Sequence, residues 1–246
     1  MWSKSLKLQK THDFLKTKMP RFVVVFVHGV ASDSSIFNNT LRYLEGTTSL
    51  REIRFVTFDL LGSGKSPTND RLNYDYKEQI EALHNAILKL KETAPLILVG
   101  HSLGALIVAK YAQVYKKTVF KLILVSPPIY TPKDLDDPAF KVGLRAFKDA
   151  VSLKKRSILK DKAFNSSMDK IVLDKNNYQS LIDLKTQTII VYGGADELIK
   201  PSNIPKLLKA NPNMSAIKTI GRHGMSHDKY NKIREILEEA LNAENL

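Results

Sequence analysis

The sequence predicts an α/β protein with a mostly parallel central sheet and helices on both faces. Its 246 residues suit one domain with a large buried core. Apolar runs rich in β-branched and aromatic residues recur along the chain, as in strands that are buried on both faces. Helical periodicity separates these runs, and such strand–helix alternation is typical of a parallel sheet.

The predicted strands are short, continuous apolar runs. They are Phe22–Val27, Ile53–Phe58, Pro95–Val99, Phe120–Val125, Thr188–Tyr192 and Ala216–Ile220. The region before Arg21 is too short for a pair of leading strands, so we expect the sheet to lack one.

The predicted helices place apolar residues at spacings of three and four. They are Tyr76–Lys91, Leu103–Tyr115 and Ser226–Leu241. Between residues 127 and 185 there is no strong strand signal, but Asp137 and Pro138 form a helix start. Phe140, Leu144, Phe147 and Val151 share one face of this helix. We therefore predict a core formed by residues 1–126 and 186–246, and a helical cap, 127–185, over the sheet edge where ligands bind.

The net charge of +13 raises the question of nucleic acid or membrane contact. The lysines are spread along the chain and mixed with acids, and the one dense run, Lys154-Lys155-Arg156, has no interleaved aromatics. This pattern favours a solvated surface over a nucleic-acid site. Peripheral contact with anionic lipid stays open.

Composition excludes several other classes of function. The chain has no cysteine, which rules out disulfides, thiolate catalysis and zinc ribbons. The N-terminal residues lack the apolar core of a signal peptide, and no run approaches the ~18 apolar residues of a membrane span. We expect a soluble cytoplasmic protein without a metal or cofactor.

The stretch Asp59–Pro67, DLLGSGKSP, resembles the end of a phosphate-binding loop. That motif requires a glycine where this chain has Asp59, and an apolar-periodic helix should follow it. Instead turn formers and charged residues follow. The sequence therefore argues against a nucleotide site.

The strongest local signal is Gly100-His101-Ser102-Leu103-Gly104, directly after an apolar strand and at the start of a helix. In this G-x-S-x-G context a serine at a tight strand-to-helix turn exposes its hydroxyl above the sheet. Ser102 is therefore the candidate nucleophile. Because a serine hydroxyl is weakly nucleophilic alone, a histidine and an orienting acid must accompany it.

The candidate acid is Asp196, which follows the strand Thr188–Tyr192 after two glycines and should lie at the same edge of the sheet as Ser102. The candidate base is His223, in the loop after the last strand. His227 stays open as an alternative, although Ser226 is a good N-cap and would make His227 the first residue of the final helix.

Two backbone N–H groups are candidates for stabilising an oxyanion. Leu103 follows the nucleophile, and Val30 follows Gly29 after an earlier strand. We interpret His28 as holding that loop through ring hydrogen bonds. The remaining histidines lack an acid partner in sequence and are assigned to packing or surface: His12, His84 and His101.

These motifs together resemble the α/β-hydrolase superfamily over nearly the whole chain from Arg21, in the order Ser, Asp, His. In that superfamily the D-x-x-G-x-G-x-S segment, here beginning at Asp59, is a structural turn beside the active site. One departure keeps His227 open, because Arg222 stands where the family normally has a glycine before the histidine.

The resemblance implies a serine hydrolase acting through an acyl-enzyme. Our first expectation is a carboxylesterase or lipase for short to medium acyl chains, because the predicted cap offers an apolar wall. A proline iminopeptidase-like aminopeptidase is an alternative, since acids that could hold a substrate amine cluster at Asp134, Asp136 and Asp137. Thioesterases and C–C bond hydrolases use the same triad. Remote alternatives are a non-catalytic binding protein and a P-loop nucleotide binder.

Overall fold

The computed structural model describes residues 6–116, 118–155 and 161–243, and for 152–155 the backbone alone. The side chains of Lys154-Lys155-Arg156, the basic run noted above, therefore lie outside the described residues.

The centre of the molecule is a seven-stranded sheet with the order β1-β3-β2-β4-β5-β6-β7. The strands are β1 (Gln9–Phe14), β2 (Phe22–Val27), β3 (Ile53–Asp59), β4 (Leu96–His101), β5 (Val119–Val125), β6 (Thr188–Gly193) and β7 (Met214–Thr219). The edge strand β1 pairs antiparallel with β3, and the other neighbours are parallel. The predicted fold class is confirmed.

Two strand positions differ from the expectation. The polar strand β1 lacks an apolar run because it has one neighbour and most of its side chains are exposed or half-buried. The last strand ends at Thr219 and not at Ile220, whose side chain is 86% exposed. An apolar residue alone is therefore a weak marker of a strand's end.

Helices cover both faces of the sheet and bury alternate side chains of each strand. On one face Val23, Val25 and Val27 pack with α2 (Tyr76–Leu88) and α3 (Leu103–Val114). On the other face Phe22, Val24 and Phe26 pack with α1 (Asn38–Gly46) and α9 (His227–Ala243). This double burial is the physical reason why β2 reads as six consecutive apolar residues.

Between β5 and β6 the described chain is helical. It forms α4 (Pro132–Asp136), α5 (Pro138–Lys155), α6 (Asp161–Ser167), a π-helical turn (Met168–Val172) and α7 (Asn177–Ile182), while α8 (Ile204–Ala210) follows β6. The apolar face of α5 packs against the main core through Phe140, Leu144, Phe147 and Val151. These helices occupy the segment predicted as a cap. No helix within the described residues is long and apolar enough to cross a lipid bilayer.

Candidate active site

Ser102 lies on a strained turn between β4 and α3. Its backbone has φ 54° and ψ −121°, a conformation that costs an ordinary residue free energy and that tight packing must maintain. A Cβ on Gly104 would lie 2.1 Å from the carbonyl oxygen of Val27, and one on Gly100 would lie 2.4 Å from that of Gly104. Both glycines of the motif are therefore required by close backbone approach.

The loops after β6 and β7 bring Asp196 and His223 together. The His223 ring donates from Nδ1 to the Asp196 carboxylate, with distances of 3.0 Å to Oδ1 and 3.1 Å to Oδ2. The Asp196 side chain is fully buried, and that of His223 is 19% exposed. This arrangement leaves the other ring nitrogen of His223, Nε2, free of the carboxylate.

Asp196 stays ionised despite its burial. Burial alone raises the pKa of this carboxyl, but hydrogen bonds from His223 and Ser126 and the backbone N–H of Leu198 outweigh it and hold the pKa below its usual value. The Leu198 N–H donates to Oδ1 at 3.0 Å. A fixed negative charge therefore faces the histidine ring.

His227, the alternative base, lies elsewhere. It begins α9, and its ring packs edge-on against Tyr43 and Tyr230, with centroid distances of 5.6 and 5.0 Å. The structure therefore brings His223, and not His227, to the carboxylate of Asp196.

The two candidate oxyanion donors lie at neighbouring turns. Leu103 begins α3, where the first N–H groups of a helix have no partner within the helix. Val30 lines the cavity described below, in the loop after β2. His28 holds this loop: its Nδ1–H donates to the Gly29 carbonyl at 2.8 Å, and its Nε2 accepts from the Leu60 N–H at 2.9 Å.

A cavity of about 620 Å³ opens in front of Ser102 and His223. Most of its lining is apolar, and one wall is the face of α5 formed by Phe140, Leu144 and Phe147. Its volume lies within the range of small-molecule pockets, about 300–1,000 Å³. The site is thus open to a ligand with a substantial apolar part.

The turn that resembled a phosphate-binding loop is filled by its own aspartate. The Asp59 carboxylate accepts N–H bonds from Ser34 at 2.9 Å and Lys65 at 2.8 Å. A Cβ on Gly64 would lie 2.2 Å from that carboxylate. The space that a phosphate would need is therefore occupied by Asp59.

Sequence reasoning missed three side chains around the candidate triad. His101, assigned to packing or surface, is buried and pairs through Nε2 with the His223 carbonyl at 2.9 Å. Burial, together with the nearby His223, lowers the pKa of His101 to about 3, so this ring is neutral and Nε2 carries the donated hydrogen. Ser126 and Lys229 are also buried beside the site.

One signal in the sequence pointed to Lys229. It lies four residues before Ile233 and seven before Ile236, on the buried face of α9. A lysine in an apolar helical stripe is rarely tolerated unless it is paired.

The two remaining histidines, His12 and His84, do not line the cavity. His12 pairs with Glu45, and His84 stacks on Tyr115. In the described part of the chain no group of three or more His, Asp or Glu residues could hold a metal ion.

The sheet order, the serine turn and the adjoining Asp–His pair define a member of the α/β-hydrolase superfamily. Within that superfamily, the chain belongs to the family described as "Serine aminopeptidase, S33", whose pattern it matches over residues 18–180.

Curated relatives carry lipase-type names. The chain is 34% identical over 108 residues to "Probable lysophospholipase BODYGUARD 5" of Arabidopsis thaliana, covering 44% of this chain and 24% of that protein. It is 26% identical over 252 residues to "Lipase 1" of Psychrobacter immobilis, covering 87% and 77%. The match thus spans about a quarter of the length of the first relative.

Solved structures share the fold. A monoacylglycerol lipase from Paleococcus ferrophilus superposes with a TM-score of 0.69 at 22% identity, over 95% of this chain and 99% of that chain. An esterase from Exiguobacterium antarcticum gives 0.71 at 20% identity, over 94% of each chain. At these identities the likeness concerns the fold alone.

Proposed function

We propose that this protein is a serine hydrolase that cleaves carboxylic esters with short to medium acyl chains through an acyl-enzyme. One observation carries the proposal: the histidine held by a buried carboxylate lines the same apolar cavity as a serine on a strained strand-to-helix turn. The lipase names of the relatives support the same class of substrate.

In the first half-reaction the Ser102 hydroxyl attacks the ester carbonyl carbon while His223 Nε2 takes its proton. Asp196, bonded to Nδ1–H, fixes the ring tautomer and stabilises the positive charge. The carbonyl oxygen becomes an oxyanion that the N–H groups of Val30 and Leu103 stabilise. The carbon–oxygen bond to the leaving group then breaks, and the imidazolium protonates the departing alcohol.

The second half-reaction repeats these roles with water as the nucleophile. His223 takes a proton from water as the resulting hydroxide adds to the acyl carbon. The second tetrahedral intermediate collapses, its bond to Ser102 Oγ breaks, and the proton returns to that oxygen. The carboxylic acid leaves, and the free enzyme is restored with all atoms accounted for.

The cavity lining supports an ester over an amine-terminated peptide. Of the three acids that kept the aminopeptidase alternative open, Asp134 is bonded within the cap of α4 and to Asn203, and Asp136 pairs with Lys175 at the surface. Asp137 accepts the first N–H groups of α5. Glu197 is the acid that lines the cavity among the described residues, so an aminopeptidase would depend on it.

A series of p-nitrophenyl esters from acetate to palmitate tests the proposal directly. We expect turnover that is highest for short and medium chains, because the apolar cavity has a finite volume. Ser102→Ala should lower kcat by at least ~10³-fold, as expected when the nucleophile of a triad is lost. Ser202→Ala, at an exposed serine, is the matched control.

Parallel assays separate the alternatives. Faster cleavage of a prolyl-anilide than of any ester would support the aminopeptidase, and faster cleavage of an acyl thioester the thioesterase. Ester turnover in a folded Ser102→Ala variant at more than a tenth of the wild-type rate would refute the proposed mechanism.

A further inference from the structure

A buried lysine, Lys229, lies between the candidate base, His223, and the candidate acid, Asp196. Lys229 lies in the first turn of α9 with an exposed fraction of 0%. Its Nζ donates to the carbonyl oxygens of Arg222 at 2.6 Å, His223 at 3.0 Å and Gly224 at 2.9 Å. One ammonium group is therefore hydrogen-bonded to three consecutive carbonyls of the loop that carries the base.

The same ammonium also reaches the acid. Nζ also donates to Ser126 Oγ at 2.8 Å, so its three N–H groups serve four acceptors and one of them is shared. A hydrogen bond from the Ser126 hydroxyl helps to hold the pKa of Asp196 below its usual value. Asp196 in turn accepts from His223. Lys229 thus contacts the main chain of the base and, through one hydroxyl, the side chain of the acid.

We propose that Lys229 is a positioning residue that sets His223 and Asp196 relative to each other by binding the histidine loop and Ser126 with one buried ammonium group. The proposal rests on the serine-hydrolase function proposed above. Lys229 touches neither the substrate nor Ser102 in this role. It acts by fixing the distance and angle of the His223–Asp196 pair.

The acceptors around Nζ call for a cation and not only for a long side chain. Three carbonyls and one hydroxyl converge on Nζ, and carbonyl oxygens left without donors in a buried site are costly. The negative charge of Asp196 is near enough to favour the ammonium form, while the neutral ring of His101 supplies a second donor to the His223 carbonyl. An apolar side chain of equal length would fill the space but would not donate to the carbonyls of Arg222 and Gly224, whereas the His223 carbonyl would keep its bond from His101.

The protonation state agrees with this role at neutral pH. Burial lowers the pKa of Lys229, the nearby Asp196 partly opposes that effect, and the result is about 8. The ammonium form is therefore the main one at pH 7. Among the described residues, Asp196 and the neutral ring of His101 are the titratable groups that interact with it electrostatically.

The test uses the absence of cysteine from the sequence. Lys229→Cys introduces a unique thiol, which is alkylated in the unfolded state before refolding. With 2-bromoethylamine, sulfur displaces bromide and the side chain again ends in an ammonium group at the length of lysine. With 1-bromopropane, the same displacement gives a chain of equal length that ends in a methyl group. The wild type, unfolded and refolded with each reagent, is the control.

We expect the aminoethyl form to recover kcat to within ~5-fold of the wild type. The propyl form should lose about 100-fold in kcat with little change in KM, as expected when a reacting group is displaced by about 1 Å. Near-UV circular dichroism verifies that both forms are folded. If the aminoethyl and propyl forms are both folded and have equal kcat, the length and packing of the side chain alone explain the effect of Lys229, and the proposal is overturned.

Ser126→Ala provides a second readout that needs no refolding. It removes the hydroxyl between Lys229 and Asp196 while the lysine keeps its three carbonyl partners. A loss of ~10-fold in kcat at constant KM supports the proposal, and an unchanged kcat overturns the link to the acid.

A wild type that neither cleaves esters nor reacts with a fluorophosphonate would overturn the proposed function itself. If the wild type is active and the two alkylated forms have equal kcat, only the role of Lys229 is overturned, and the proposed function stands.

Discussion

Replacing Asp196 by asparagine keeps the shape of a fully buried side chain but exchanges one carboxylate oxygen for an NH₂ group. The carboxylate now accepts bonds from His223 Nδ1, the Ser126 hydroxyl and the Leu198 N–H. The amide keeps one acceptor oxygen and places an NH₂ group where the other carboxylate oxygen was. With the amide oxygen held at the Oδ1 position by the Leu198 N–H, that oxygen lies 3.0 Å from His223 Nδ1, and the NH₂ group replaces Oδ2 at 3.1 Å from the same nitrogen.

An NH₂ group beside Nδ1 favours the histidine tautomer that carries its hydrogen on Nε2. That tautomer cannot take the proton of Ser102, so the serine loses its base. An Asp-to-Asn change of this kind costs about 10⁴-fold in kcat, equivalent to about 5 kcal/mol of transition-state stabilisation. We expect a loss of this order here because Asp196 has the same relation to its histidine.

The assay is kcat/KM for a p-nitrophenyl ester at pH 7, with the rate of Ser102 labelling by a fluorophosphonate as a second measure. Asp183→Asn, at an exposed position at the end of α7, is the matched control and should retain full activity. Thermal unfolding verifies that both variants fold. A folded Asp196→Asn variant with more than a tenth of wild-type activity would refute this reasoning.

Further predictions concern the base, the turn and the cap. His223→Ala should lower kcat for ester hydrolysis by at least ~10³-fold, whereas His227→Ala should keep a kcat near that of the wild type. The reverse result would identify His227 as the base. Gly104→Ala should lower Tm and abolish activity because its Cβ would meet the Val27 carbonyl, whereas Gly46→Ala, with open space around it, should leave the melting curve unchanged. Phe147→Ala should lower kcat/KM about tenfold for octanoate but little for acetate, since it removes one apolar wall; equal losses for both esters would contradict that placement.

The strands buried on both faces were the easiest part of the fold to predict. Phe22–Val27 is fully buried in the sheet, so each of its residues carries the signal. The edge strand Gln9–Phe14 was missed because its stability depends on pairing with β3, and its own side chains are mostly polar. Such a strand is specified by a distant partner and leaves little local trace.

In the candidate site, too, residues in local motifs could be predicted and residues that depend on distant contacts could not. Ser102, Asp196 and His223 follow from local motifs at strand ends, and the structure brings the last two into hydrogen-bond contact. The roles of Ser126 and Lys229 depend on a contact across 103 residues. No short pattern encodes that contact, although a lysine on the apolar face of α9 is a visible irregularity.

The most direct measurement is a crystal structure of the protein after reaction with an alkyl fluorophosphonate. We expect a covalent bond between phosphorus and Ser102 Oγ, with the alkyl chain against α5. The phosphoryl oxygen should lie within about 3 Å of the backbone nitrogens of Val30 and Leu103, where the oxyanion would form. Phosphorus bound to any other residue, or a folded protein with an unmodified Ser102, would contradict this expectation.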